Sequence, residues 1–441
     1  MADGRELWGA ETSKAVENFP VSGERVPVSV VRMLAHVKAA AARTNAELGL
    51  LDAEIAERTA AAADAVARGE HDEQFPIDVF QTGSGTSTNM NANEVIANLA
   101  GEGVHPNDHV NMGQSSNDVF PSAVHLAAVS ETTGRALPAL DLLAASLEAK
   151  ATEFADVVKA GRTHMMDAVP VTLGQEFAGY AAQIRLGHAR VAGTLARASQ
   201  VPLGGTATGT GLNTHRDFAA GARARLVEAT GVPVEGPADP FEAQANRDAL
   251  VELSGALKVV AVSLTKIASD LVLMGSGPRT GLAEISLPEL QKGSSIMPGK
   301  VNPVIPEVVL QVAAQVIGND ATITIAGTQG NFELNVRVPV IARNLLDSIA
   351  ILASAATLLA SRCVDGIAAN EQSTAAHAGS TPAIATALNP HIGYDRATEI
   401  VKEAVASRRT IREVALEQGV EEAVLDSALD LRRMAEGSRA E

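Results

Sequence analysis

The chain has 441 residues, carries a formal net charge of −17 and contains only 3% aromatic residues. At about 150 residues per domain, this length predicts about three structural units. The acidic excess argues against nucleic acid or an anionic membrane as a partner. The single cysteine, Cys363, cannot form an internal disulfide. Apolar content dominated by Ala, Val and Leu is typical of close-packed helices.

The amino-terminal segment MADGRELWGA is polar and has no apolar stretch of the kind found in secretory signals. We therefore expect a cytoplasmic protein. The uncharged stretch from Ser348 to Ser361 is too short to span a bilayer, so no membrane role is expected.

Apolar residues recur at helical spacing over most of the chain. Strand signals are few and short, and no repeat of fixed period is evident, so the fold is predicted to be mostly α. The second half of the helix predicted to end at residue 274 is apolar nearly all round, which indicates burial on most sides, including by other subunits. Long helices are predicted at residues 30–51, 52–68, 122–151, 173–198, 241–274 and 338–363.

Composition changes near Glu371, and the segment LNPHIGYDRA then leads into another helical pattern. We therefore predict three domains. Residues 1–115 form an amino-terminal helical domain, residues 116–371 a central bundle of long helices, and residues 372–441 a small carboxyl-terminal helical domain.

Five polar, glycine-rich segments interrupt the helical patterns: TGSGTSTNMN, HPNDHVNMGQSSND, GRTHMMDA, PLGGTATGTG and GSSIMPGKVNP. On a helical scaffold, loops of this composition are where function is expected. The last segment differs from a nucleotide-binding P-loop, because five residues rather than four separate Gly293 from Gly299, and Val301 replaces the hydroxyl residue. A nucleotide-dependent transferase is therefore disfavoured.

Together these segments resemble the fumarase/aspartase superfamily, and within it the class II fumarate hydratases. The resemblance extends from LWGAET to NPHIGYD, and GSSIMPGKVNP matches the superfamily's signature loop. It implies an elongated, three-part, mostly α subunit in a D2 homotetramer around a central bundle of long helices, with active sites shared between subunits and no cofactor or metal. The implied activity is a lyase reaction of the tricarboxylic acid cycle, the reversible hydration of fumarate to (S)-malate through an aci-carboxylate intermediate.

The resemblance also implies three catalytic residues. Ser294 takes the proton from the carbon next to a carboxylate, His164 acts on the water side, and Glu307 pairs with His164 and keeps it basic. A serine hydroxyl needs nearby donors and cations before it can act as a base, and Lys300 is the expected cation.

Stabilisation of the intermediate is a separate demand on the same loop. A carbon acid of this kind is weak, so its aci-carboxylate needs preorganised donors. Lys300 and Asn302 fit that demand, and the helix expected to begin at Pro303 or Pro306 contributes its positive end.

Short hydroxyls and amides suit the binding of a small dicarboxylate. By resemblance, the substrate-binding residues are Ser84, Gly85, Thr86, Ser115, Ser116, Asn117, Thr163, Ser295, Lys300, Val301 and Asn302.

A second, outer carboxylate site seen in the family matches His105, Pro106, Asn107 and Asp108. Relatives often carry a basic residue shortly before this histidine, whereas this chain has Glu102. Negative charge there opposes carboxylate binding, so weak occupancy is expected.

Other lyases and a non-enzymatic function are weighed against the hydratase. Lyases of argininosuccinate or adenylosuccinate are disfavoured, because their signature loops usually differ in the residues around the lysine. Aspartate ammonia-lyase shares most of the signature loop, but aspartases typically carry glutamine where this chain has His164, and NFELNV at residues 331–336 also favours the hydratase. A non-catalytic helical structural relative tends to lose its site residues first, and every expected residue is present here.

Overall fold

A computed structural model describes residues 6–437, and this part of the chain is mostly helical. The predicted start at Asp52 is confirmed, because its carboxylate caps the third helix by accepting the backbone N–H groups of Glu54 and Ile55. The first four helices are α1 (Ala10–Asn18), α2 (Val28–Glu47), α3 (Ala53–Ala67) and α4 (Thr86–Ala100).

The central part of the chain contains the longest helices and one antiparallel hairpin, and a π-helical segment, Pro106–Val110, precedes it. A second π-helical segment, Thr132–Ala136, joins α5 to α6, so the helix predicted at residues 122–151 is nearly continuous. The elements are α5 (Ser116–Glu131), α6 (Leu137–Glu153), β1 (Val158–Thr163), β2 (Met166–Thr172), α7 (Leu173–Ala198), α8 (Phe218–Thr230), α9 (Pro240–Ala245) and α10 (Asp248–Met274).

Beyond α10 the strands are only two residues long, and they pair as β3 with β6 and β4 with β5, both antiparallel. The elements are β3 (Ile285–Ser286), α11 (Val304–Gly327), β4 (Gly330–Asn331), β5 (Leu334–Asn335), α12 (Val338–Arg362), β6 (Ala368–Ala369), α13 (Glu371–Ser380), α14 (Asn389–Ile392), α15 (Tyr394–Ser407), α16 (Ile411–Glu417), α17 (Glu422–Ala428) and α18 (Leu431–Glu436).

Buried stripes on the long helices account for the core. The stripe predicted on α12 is confirmed, since Ile341, Leu345 and Ile349 are fully buried. On α10, Leu264 and its apolar neighbours are buried, but Val262 is 55% exposed. The helix predicted at residues 241–274 is a single helix only from Asp248, where α10 begins.

Contacts divide the described residues into two compact units. The first contains the described part of Met1–Pro138 with Gly187–Ala261 and Val312–Ala353. The second contains Ala139–Leu186, Val262–Gln311 and the described part of Ser354–Glu441. In the second unit, the helices after α13 enclose their own apolar cluster, which includes Leu388, Ile400, Val414 and Leu425. The three-domain division stays a prediction.

Between residues 6 and 437, two helical segments are long and apolar enough to cross a membrane by length and composition, a test that core helices of soluble proteins also pass. In the segment Val338–Gly366 the most apolar window is 61% buried, but in α11 it is only 33% buried. The single chain therefore leaves much of the apolar surface of α11 uncovered.

Candidate active site

The loop at residues 293–302 is closed by hydrogen bonds between its two ends. The N–H of Gly293 donates to the carbonyl of Lys300 at 3.0 Å, and the Nδ2 of Asn302 donates to the carbonyl of Gly293 at 2.8 Å. A Cβ on Gly293 would lie 2.1 Å from the oxygen of Lys300. Glycine is therefore required at this position for the loop to close.

Ser294 lies inside this loop with its oxygen already hydrogen-bonded. Its Oγ accepts the backbone N–H groups of Ile296 at 3.2 Å and Met297 at 3.1 Å. Donors that point at an oxygen favour its anionic form, so this geometry lowers the cost of removing the hydroxyl proton. Lys300 is exposed on the same loop, and α11 begins at Val304, between the two prolines where its start was expected.

Thr163 and His164 lie at the turn between β1 and β2, and both are exposed. His164 and Met165 have φ values of 55° and 62°, a left-handed conformation that is uncommon for residues other than glycine. Such strain persists only where the surrounding structure enforces it, and it is frequent at functional sites. Within residues 6–437 of one chain, no hydrogen bond or ion pair joins His164 to Glu307.

A buried ionic cluster holds the strand that leads into this turn. The fully buried Glu284 pairs with Arg162 at 2.9 Å, His377 at 3.1 Å and Lys159 at 3.4 Å, and Lys159 also pairs with Glu176 at 2.8 Å. Burial alone would raise the pKa of Glu284, but the Arg162 hydrogen bond and the charges of Lys159 and Arg162 outweigh burial and hold that pKa below its usual value. Because Arg162 directly precedes the turn, the cluster fixes the base of the turn.

The TGSGT segment forms the amino terminus of α4. Gly85 caps the helix with φ 76°, and a Cβ there would lie 2.2 Å from the ring of Phe120 on α5. The hydroxyls of Ser84 and Thr86 are hydrogen-bonded to each other at 2.8 Å. The site hydroxyls therefore lie where α4 begins against α5.

The segment that follows the β4–β5 hairpin contacts TGSGT directly. The N–H of Val338 donates to the carbonyl of Gly83 at 3.0 Å, and a Cβ on Gly83 would lie 1.7 Å from the carbonyl oxygen of Val336. The NFELNV segment thus determines where the TGSGT backbone lies, while Phe332 at the hairpin tip is 89% exposed.

Ser115, Ser116 and Asn117 form the start of α5. The Ser115 side chain caps the helix by accepting the N–H of Asn117 at 3.2 Å. Ser116 Oγ accepts a hydrogen bond from Asn89 Nδ2 on α4 at 3.1 Å, and Asn117 Nδ2 donates to the carbonyl of Ala207 at 3.0 Å. The amino termini of α4 and α5 are therefore linked, and two positive helix ends suit the binding of carboxylates.

Four residues of this region were not among the predicted site residues: Lys38, Asn89, Asn111 and Asp118. Lys38 is fully buried, and its Nζ donates to Asn111 Oδ1 at 2.8 Å. Asn89 Nδ2 donates to the same oxygen at 3.2 Å. A signal was available, since Lys38 follows Leu34 by four residues and so lies on the buried face of α2.

At residues 105–108, the predicted outer carboxylate site, the backbone N–H groups already have a hydrogen-bond acceptor within the segment. The Nδ1 of His105 accepts the N–H groups of Asn107 at 3.3 Å and Asp108 at 3.1 Å, capping the helix that starts at Pro106. A carboxylate that used these N–H groups would have to replace the histidine ring. Arg58 donates to the carbonyl of Glu102 at 3.0 Å and so brings a cation close to the segment.

The candidate residues fall into two groups, each within one compact unit. Thr163, His164, Glu307 and the loop at residues 293–302 belong to the second unit. The starts of α4 and α5 and the outer segment at residues 105–108 belong to the first.

Comparison with known proteins identifies two family matches along the chain. Residues 3–318 match a family described as "Lyase", and residues 384–436 match one described as "Fumarase C C-terminus".

Individual relatives are similar over nearly the whole chain. Class II fumarate hydratase of Corynebacterium efficiens is 55% identical over 98% of this chain and 94% of its own. The class II fumarate hydratase of Mycobacterium tuberculosis is 53% identical, covering 99% and 94%. Among solved structures, recombinant class II fumarase from Schistosoma mansoni superposes with a TM-score of 0.96 at 37% identity, covering 98% of this chain and 96% of that one.

Proposed function

Since the chain belongs to the lyase family that includes the class II fumarate hydratases, we propose that it catalyses the reversible hydration of fumarate to (S)-malate. The observation that carries this function is the identity of 55% to a class II fumarate hydratase over 98% of the chain. The intact loop at residues 293–302 supports the same conclusion.

In the dehydration direction, we propose that the deprotonated oxygen of Ser294 takes the proton from the carbon of malate next to a carboxylate. The electron pair of that C–H bond moves into the carboxylate and gives an aci-carboxylate with additional negative charge. The N–H groups of Ile296 and Met297, which donate to Ser294 Oγ, support this role because they stabilise the alkoxide.

The additional charge of the aci-carboxylate is held by donors on the same loop. Lys300 supplies a cation and α11 the positive end of a 24-residue helix. Asn302 uses one amide hydrogen to close the loop onto Gly293 and keeps a second hydrogen for substrate. Ser295 and Val301 complete the substrate-binding part of this loop.

On the water side, we propose that His164 donates a proton to the departing hydroxyl, which leaves as water while the double bond of fumarate forms. Glu307 pairs with His164 to hold the ring in place, and Thr163 binds substrate beside it. The exposure of His164 and Glu307 in one chain is compatible with a pairing between two copies of the chain. The substrate carboxylates bind at the starts of α4 and α5, through Ser84, Gly85, Thr86, Ser115, Ser116 and Asn117.

We propose that the protein is a homotetramer whose active sites are shared between subunits. On α11, Ile317 is 39% exposed and Ile325 is 63% exposed. Val262 and Leu273 on α10 are likewise exposed. Apolar residues on long helices are costly to leave in water, and packing against the same helices of other copies would bury them. A cytoplasmic location fits an enzyme of a small dicarboxylate with one buried free thiol.

One assay tests the proposed function directly. Purified protein with (S)-malate should produce the ultraviolet absorbance of the fumarate double bond, and fumarate should lose that absorbance. Aspartate serves as the control substrate, because an ammonia-lyase would produce the same absorbance from it. Faster formation of fumarate from aspartate than from malate would overturn the assignment.

A further inference from the structure

One buried carboxylate connects two segments of the substrate site. Asp118 is fully buried at the start of α5. Its Oδ1 accepts the N–H of Ser115 at 2.9 Å, and its Oδ2 accepts the N–H groups of Gly204 and Thr206, both at 3.0 Å. A single side chain thereby joins the start of α5 to the glycine-rich loop at residues 203–211.

That loop in turn holds a substrate-binding residue. The carbonyl of Ala207 accepts the Nδ2 of Asn117 at 3.0 Å, and Gln244 Nε2 donates to the carbonyl of Thr206 at 2.8 Å. The position of Asn117 therefore depends on the same backbone that Asp118 holds.

A second buried ionisable side chain, Lys38, is linked to the substrate-binding residue Ser116. Lys38 on α2 is fully buried and reaches Ser116 through two amides, Asn111 and Asn89. Burial lowers the pKa of Lys38 to about 7, and Asp118 opposes that change. Burial raises the pKa of Asp118 to about 6, against its three backbone N–H donors and Lys38. The ionised form of each group therefore supports the other.

We propose that Asp118 and Lys38 are a pair of positioning residues that fix Ser116 and Asn117 for dicarboxylate binding. This inference rests on the proposed function. Both side chains are fully buried and act through the backbone and amide groups described above. Their loss is therefore expected to weaken substrate binding more than it slows the chemical step.

The variant Asp118→Asn tests this directly. An asparagine in the same place has one oxygen and one N–H₂ group, so it can accept either the N–H groups of Gly204 and Thr206 or the N–H of Ser115, but not all three. Interactions made equally in the ground state and the transition state raise KM when lost and leave kcat unchanged. KM for fumarate should rise at least about tenfold while kcat stays within about threefold.

A double variant separates positioning from a purely structural role. Lys38→Met/Asp118→Asn removes both buried charges, and its unfolding temperature should recover towards that of the wild type. Its KM should stay raised, because the asparagine still cannot accept hydrogen bonds from both the start of α5 and the loop at residues 203–211. Asp217→Asn is the matched control. Asp217 is exposed, and its side chain accepts no capping hydrogen bond at the start of α8, so this variant should keep the wild-type KM.

Steady-state kinetics and thermal unfolding of the four proteins decide the question. Raised KM in both Asp118 variants, with recovered stability in the double variant, supports the inference. A folded Asp118→Asn with wild-type KM, or a double variant that regains KM together with stability, overturns it. Failure of both Asp118 variants to fold also overturns it, because the pair would then act on folding and not on binding. A wild-type protein without hydratase activity would instead overturn the proposed function.

Discussion

Gly293→Ala is the most local perturbation of the proposed base. The new Cβ would lie 2.1 Å from the Lys300 carbonyl oxygen and 3.1 Å from the Asn302 nitrogen, and both are backbone atoms. Ordinary contact begins at 3.4 Å, so the two ends of the loop must separate by about 1.3 Å, which is 3.4 minus 2.1. The hydrogen bonds that close the loop cannot survive such a shift, and Ser294 is the next residue.

A misplacement of about 1 Å can cost about 100-fold in rate. We therefore expect kcat/KM for fumarate to fall about 100-fold, equivalent to about 2.7 kcal/mol of transition-state stabilisation. The unfolding temperature should change little, because the loop is largely exposed. Initial rates followed by the fumarate absorbance measure the effect.

Gly134→Ala is the matched control, since Gly134 is exposed and no heavy atom lies within 4 Å of a Cβ built there. Its activity should equal that of the wild type. If Gly293→Ala retains kcat/KM within about threefold of the wild type, the closed loop is not what positions the base, and the reasoning fails.

Three further predictions concern charge. Lys300→Met should lower kcat/KM by about 100- to 1,000-fold, as loss of an oxyanion donor does, with unchanged thermal unfolding. Near-normal turnover of this variant would show that Lys300 is not needed for the reaction. Glu284→Gln should lower the unfolding temperature at pH 7, because Arg162 and Lys159 then lose the buried carboxylate that pairs with both of them. Since the pKa of Glu284 is held below its usual value, the stabilisation by its carboxylate is present at neutral pH and is lost as the pH falls. The difference in unfolding temperature between the variant and the wild type should therefore narrow in acid, and a pH-independent difference would contradict the pairing. Crystals soaked in malate should show ligand near Ser294 and little at His105. Equal occupancy would show that neither the negative charge of Glu102 nor the capping ring of His105 prevents binding at the outer site.

The long helices were predictable because their apolar residues form single stripes. The stripe on α12 is buried as expected, and α7 has the predicted bounds, Leu173–Ala198. The pattern failed at Asn246, which adopts φ −112° and ψ 166° and separates α9 from α10, although the apolar spacing continues past it. The apolar spacing also did not reveal α4. The first turns of this helix are polar because they face the predicted substrate-binding residues and not an apolar core.

The signature loop was predictable from its residues, but its internal geometry was not. Nothing in the residue types indicates that the oxygen of Ser294 accepts two backbone N–H groups, since that depends on the turn adopted between Ser294 and Met297. The carboxylate of Asp118 accepts the N–H groups of Gly204 and Thr206, which lie 86 and 88 positions further along the chain. Such long-range partners cannot be read from local spacing.

We propose that the active sites are shared between subunits, with Ser294 from one subunit and His164 from another, and mixing two inactive variants tests this central claim most directly. Ser294→Ala and His164→Asn should each be nearly inactive as homotetramers. After equal amounts are unfolded and refolded together, about a quarter of the sites should contain both residues, and hydratase activity should return to about that fraction of the wild-type value. Mixing the folded proteins should give no recovery. Continued inactivity in tetramers shown to contain both variants would contradict the claim, because both residues would then have to come from one chain or one of them would have another role.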